Sequence, residues 1–166
     1  MQYLPKKFEK TEKVKDEFEE KVVQVSRVSK KRAGGSKISF SALVVVGNKK
    51  GRVGVGLGKA PNVSLAVSKA SAYAKKHLIT VALKGATIPH EVRVKRGAAQ
   101  VLIKPAPPGS GVIAGGAVRA VVELAGIMDI SSKVLGTENK ASNVYATLEA
   151  LKKLRSVENE RRKNES

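Results

Sequence analysis

Residues 40–60 read FSALVVVGNKKGRVGVGLGKA, and this stretch decides how the chain folds. With the preceding residues, Ile38, Phe40, Ala42, Val44 and Val46 recur at period two while Ser39 and Ser41 take the other face, which predicts a half-buried antiparallel strand. Gly47-Asn48-Lys49-Lys50-Gly51 is rich in residues that tolerate positive φ and predicts a hairpin turn. Beyond it Val53, Val55 and Leu57 alternate with Gly54, Gly56 and Gly58. A strand with glycine along one whole face leaves room for another backbone to lie against it.

Working outward, Pro61 suits a first helical residue, and Val63, Ala66, Val67, Ala70, Tyr73, Ala74 and His77 follow the helical period on one side. Upstream, VVQVSRV (residues 22–28) is a β-branched stretch with strand character. The first module is therefore β-β-β-α over residues 21–79. A second module, residues 80–155, is expected to hold strands near Thr80–Leu83, Glu91–Lys95 and Gln100–Lys104. A Pro- and Gly-rich loop, PAPPGSGVIAGG, follows, then a helix marked by Val118, Val121, Val122 and Ala125 and ended by Gly126, a strand within Ile127–Val134 and a closing helix over Ser142–Leu154. The fold class is α+β, in two small domains. Residues 1–20 carry 5 basic and 6 acidic side chains with Pro5 among them, and are read as a mobile arm; residues 156–166 are read as a mobile tail.

The chain has 32 Lys and Arg against 14 Asp and Glu, a net charge of +18. Solubility alone asks for roughly 2 to 8. Residues 21–90 hold 14 of the basic residues and not one Asp or Glu, so the excess is concentrated and a polyanion is the expected partner. No run approaches the roughly 18 apolar residues of a membrane span, and the N-terminus lacks an apolar signal core, so a cytoplasmic protein without membrane contact is expected. The absence of cysteine excludes disulfides, thiolate metal sites and cysteine nucleophiles.

Motifs for catalysis fail on spacing. GRVGVGLGKA suggests a phosphate loop, but the position that needs the leading glycine is Val53 and the residue after Lys59 is Ala60. Gly109-Ser110-Gly111-Val112-Ile113-Ala114 matches a dinucleotide fingerprint with Asp129 about twenty residues on, yet Pro105, Pro107 and Pro108 interrupt the tight strand-to-helix turn it requires. His77, His90, Glu91, Glu123, Asp129 and Glu138 show no ligand or acid–base spacing. The expectation is a protein that is not an enzyme, with no cofactor, no metal and no small-molecule substrate.

The cluster Ser29–Lys37 offers a different chemistry. Lys30, Lys31, Arg32 and Lys37 lie about the flexible Gly34-Gly35, where they can reach separate phosphates. Arg27, Lys49, Lys50, Arg52, Lys59, Lys69, Lys75 and Lys76 extend the field. Aromatics are few, so phosphate, sugar and shape recognition of folded RNA is expected rather than base stacking. A free double-stranded-RNA-binding regulator is one alternative reading of such a surface.

RVSK, Gly34-Gly35, FSALVVVGNKKGRVGVGLGKA and GVIAGGAVRAVVELAGI together resemble the ribosomal protein S-five family, over about Lys21 to Leu154. The resemblance implies a first domain like the double-stranded-RNA-binding fold without its leading helix, and a second with a left-handed β-α-β crossover. It implies binding to small-subunit ribosomal RNA where body, neck and head meet. Contacts with ribosomal proteins S-four and S-eight, a position bordering the messenger RNA entry path and an influence on decoding accuracy are also implied. On this resemblance the Val28–Lys37 turn corresponds to the loop reaching the neck RNA near the spectinomycin site. Gly111 and Arg119 fall in the region facing S-four, and Gly115-Gly116 would permit close packing before the helix. The chain departs from the family at Ser36-Lys37, where two basic residues are usual, and at Val55 and Leu57, where aromatics are frequent.

Overall fold

The computed structural model describes residues 18–154; the predicted tail and most of the predicted arm lie outside them. Three strands open the fold: β1 (Glu19–Arg32), β2 (Gly35–Gly47) and β3 (Arg52–Ala60). Helix α1 (Val63–Lys76) and the short β4 (Ile79–Thr80) complete a four-stranded antiparallel sheet of order β1-β2-β3-β4. Then come β5 (Val92–Arg96), β6 (Ala99–Pro105), β7 (Val112–Ile113), α2 (Gly116–Ala125), β8 (Ile130–Gly136) and α3 (Lys140–Lys153). The second sheet runs β5-β6-β8-β7, with β7 parallel to β8 across the α2 connection. Two domains of α+β type result.

The glycine stripe meets a backbone as anticipated. Gly54, Gly56 and Gly58 lie directly opposite Val46, Val44 and Ala42, so all six share one face of the first sheet. A Cβ built on Gly54, Gly56 or Gly58 would collide with the carbonyl oxygen of Ala74, Ala70 or Ala66 respectively. At so close an approach only alanine fits on the helix, and Ala66, Ala70 and Ala74 are its fully buried residues. The bulkier members of the expected stripe are pushed to the rim: Val63 and Tyr73 are exposed. Pro61 is not helical, because Ala60 is still paired with Phe40 in the ladder and the extended Asn62 is the N-cap.

The other face of the sheet corrects the expectation of half-burial. Leu43, Val45, Val53 and Val55 are buried too, in one continuous core with Val118, Val121, Val122, Val144 and Leu151 of the second domain. The molecule is layered as α1, first sheet, α2 with α3, second sheet. The seam between domains is partly backbone: Lys49 N–H donates to the Leu124 carbonyl at 3.0 Å and Gly51 N–H to that of Ala125 at 2.9 Å. Gly47 and Gly126 make this approach possible, since a Cβ on either would strike the backbone of Leu124 or Lys49.

Other boundaries shift for local reasons. Glu19 and Glu20, assigned to the arm, belong to β1. Of the expected Thr80–Leu83 strand only Thr80 is extended, as the end of β4 (Ile79–Thr80), which pairs with β3 in the first sheet. The chain then turns away, with Val81 N–H donating to Gly51 O at 2.7 Å. Helix α2 ends at Gly126 (φ 89°), whose N–H and that of Ile127 bond back to Glu123 and Val122 at 3.1 Å, so β8 starts only at Ile130. Asn139 caps α3 by accepting from Ala141 and Ser142, which starts the helix two residues earlier than expected.

Gly56→Ala is expected to cost about 1–3 kcal/mol, since the sheet–helix spacing has no slack. Gly116→Ala, at an open helical position, is expected to be neutral or mildly stabilising. Urea unfolding of the two variants checks this.

Candidate nucleic-acid interface

Strand β3 pairs with β2 only from Phe40 inward, whereas β1 and β2 stay paired out to Arg32 and Gly35. Residues 28–39 are therefore a two-stranded ribbon reaching about 20 Å beyond the sheet. It carries Lys30, Lys31, Arg32 and Lys37, with Arg27 at its root, all exposed. Nothing lies within 4 Å of a Cβ built on Gly34 or Gly35 at the tip. Lys30 faces Lys37 directly across the ribbon, and Arg32 follows on the same face by strand alternation. Directly opposed like charges are unfavourable in a free hairpin, and a polyanion relieves that repulsion. A lone hairpin is also only marginally stable in water. The geometry is that of an exposed cationic arm suited to a polyanionic partner.

The remaining basic candidates are not gathered there. Lys49, Lys50 and Arg52 stand at the opposite end of the 13-residue β2, about 40 Å from the tip. The Lys49 ammonium is held 2.7 Å from the Glu19 carboxylate, and Lys75 lies 3.1 Å from that of Glu20. These partners come from the acid-bearing residues just before the acid-free segment, which is why charge counting alone did not expose them. Lys59, opposite Ser41, and Lys69 and Lys76 on α1 are exposed.

Aromatic groups are better placed than their scarcity suggests. Tyr73 and His77 stack at the end of α1, with ring centroids 4.1 Å apart and planes 23° from parallel. His77 Nδ1 donates to the Tyr73 carbonyl at 2.9 Å. The expected role of His77 as part of a packed helix face is replaced by that of an exposed C-cap. Arg96 lies 4.9 Å over the ring of Tyr145. Burial, and next the nearby Tyr73 phenol, push the Tyr145 hydroxyl above its ordinary value, with Arg96 pulling the other way. The i, i+4 spacing of Tyr73 and His77 was visible in the sequence, but it read as core because the close glycine contact behind α1 was not. At the two positions where family members often carry aromatics, Val55 is core and Leu57 is exposed.

The Gly109–Gly111 loop is not a dinucleotide site. Asp129, only 7% exposed, accepts from Gly111 N–H at 2.9 Å, and β7 intervenes between loop and helix. The acid that a ribose would need is thus spent on the loop's own backbone, and Gly111 sits at φ +70°. Arg119 is exposed and donates through Nη2 to the carbonyl of Val112 in β7, at 3.2 Å. Gly115 and Gly116 do not serve close packing within the chain: a Cβ on Gly116 meets nothing, and one on Gly115 only Val134 at 3.6 Å. They line a surface cavity of about 620 Å³ between β1 and the start of α2. Beside the loop, Ile113 and Met128 are 57% and 70% exposed.

The described residues form a layered α+β core that bears a cationic ribbon, an arrangement that belongs to the class of structural proteins made to meet a polyanion. Residues 18–82 match the family model for the Ribosomal protein S5 N-terminal domain and residues 94–164 that for the Ribosomal protein S5 C-terminal domain. The small ribosomal subunit protein uS5 of Thermus thermophilus is 52% identical over 139 residues, covering 84% of this chain and 86% of the relative, and the same figures hold for two strains of that organism. The chain belongs to the ribosomal protein S5 family: it is a structural, rRNA-binding protein of the small ribosomal subunit, a cytoplasmic particle in bacteria, and not an enzyme.

Lys31→Ala is expected to lower the slope of log affinity against log salt for ribosomal RNA by about 1. Lys49→Ala, whose ammonium is already paired, is expected to leave it nearly unchanged. Filter binding across a salt series distinguishes the two.

Proposed function

We propose that this protein anchors small-subunit ribosomal RNA at the junction of body, neck and head, with the β1–β2 ribbon as its principal RNA contact. The carrying observation is the ribbon itself: an acid-free arm with its cations exposed, three of them on one face, projecting past the third strand. Arg27, Lys30, Lys31, Arg32 and Lys37 hold phosphates. Gly34 and Gly35 let the tip's backbone approach sugar and phosphate closely. Lys50, Arg52, Lys59, Lys69 and Lys76 supply secondary contacts, while Lys49 and Lys75 first have to leave Glu19 and Glu20.

The second domain presents its β7 edge to neighbouring protein. Ile113 and Met128 give apolar area where a monomer has no use for it, and Arg119, Gly111, Gly115 and Gly116 frame the same end of the domain. This reading makes S-four the partner at that face and, on the family resemblance, adds S-eight and a position along the messenger RNA entry path. Geometry at the S-four contact then feeds into decoding accuracy.

Sucrose-gradient sedimentation of the tagged protein from lysate tests the anchoring role. Comigration with the small subunit through a high-salt wash is the expected result; release at modest salt would favour a free regulator of double-stranded RNA. For the protein face, Arg119→Leu ribosomes are expected to show altered misreading in a reporter assay, because β7 loses its hydrogen-bonded clamp. Unchanged misreading would remove Arg119 from that role.

A further inference from the structure

Helix α1 carries an arrangement that the ribbon does not require. Tyr73 is 48% exposed although it lies on a helix whose inner face is closed. Its ring is stacked on His77 at 4.1 Å, and the hydrogen bond from His77 Nδ1 to the Tyr73 carbonyl fixes the imidazole in that position. Lys69 precedes Tyr73 by four residues and Lys76 follows it by three, so both flank the ring along one helical face. Both are exposed. Helix α1 itself carries no acidic side chain, since residues 21–90 contain none.

We infer that Tyr73 and His77 form a stacking platform for one unpaired nucleobase of the ribosomal RNA, with the phosphates on either side of that nucleotide held by Lys69 and Lys76. The inference rests on the RNA-binding reading above and adds a second, separate contact to it. Three features point to a base rather than to a protein side chain. The two rings are already arranged as consecutive layers of a stack, which a third flat ring extends at no cost in reorganisation. The flanking charges are both positive, about 10 Å apart along the helix axis, a separation that two lysine arms bridge to the phosphates of a single nucleotide. Arg96 lies over the ring of Tyr145, which is close enough to Tyr73 to feel its phenol, and so adds a planar cation beside an aromatic, the pairing that single-stranded RNA sites use. The imidazole Nε2, left free by the Nδ1 bond, is available to the edge of the base or its 2′-hydroxyl.

The test is binding of the full chain to small-subunit ribosomal RNA over a salt series, with melting temperatures recorded for each variant. Tyr73→Ala is expected to weaken binding by roughly 5- to 150-fold with the salt slope unchanged, since no phosphate contact is lost. Tyr73→Phe, which keeps the ring, is expected to bind like the parent. Lys76→Ala is expected to lower the slope by about 1. Should Tyr73→Ala melt early, His77→Ala takes its place and is expected to weaken binding several-fold at constant slope. Parental affinity in both ring-removing variants, or equal losses in Tyr73→Ala and Tyr73→Phe, would overturn the platform. The ribbon reading stands or falls separately, on whether Lys31→Ala still lowers the slope.

Discussion

Everything in this fold is referred to one contact: the backbone of α1 lying against the glycine face of β3. Gly54, Gly56 and Gly58 leave the middle of that face without side chains, and Ala66, Ala70 and Ala74 present the helix carbonyls to it. Atoms this close have no freedom to slide, so the helix is held at one height and one rotation. That rotation points Lys69, Tyr73 and His77 outward and leaves the small residues inside.

With α1 occupying one face and the second domain the other, the first sheet has no solvent face at its centre. The domains are joined by apolar packing and by backbone hydrogen bonds from the β2–β3 turn to the end of α2. The far end of β1 and β2 projects free of both coverings, and there the sequence changes from valine to lysine and arginine. A rigid sandwich thus carries an arm whose charge would be costly anywhere nearer the core. Charge and packing are separated along two strands of the same hairpin.

Much of this was legible beforehand because it rests on local rules. Period-two alternation located β2 and β3, the glycine stripe foretold a backbone neighbour, and Gly126 marked the end of α2. What was not legible depended on contacts distant in sequence. Leu43 and Val45 could not be known to be buried until the second domain covered them. Tyr73 read as core until the Gly–Ala contact left it no room. Lys49 and Lys75 counted as free cations until β1 brought Glu19 and Glu20 beside them. Asp129 looked available until its bond to Gly111 gave it a structural task.

The claim that a locked sandwich holds out an arm made firm by RNA is tested most directly by amide hydrogen exchange, with and without small-subunit ribosomal RNA. In the free protein, amides of residues 42–46 and 53–58 should exchange only through global unfolding, while those of residues 28–39 exchange through local opening. Bound RNA should slow the ribbon and leave the core rates in their original order. Ribbon amides as protected as the core in free protein, or unprotected in the complex, would contradict the account.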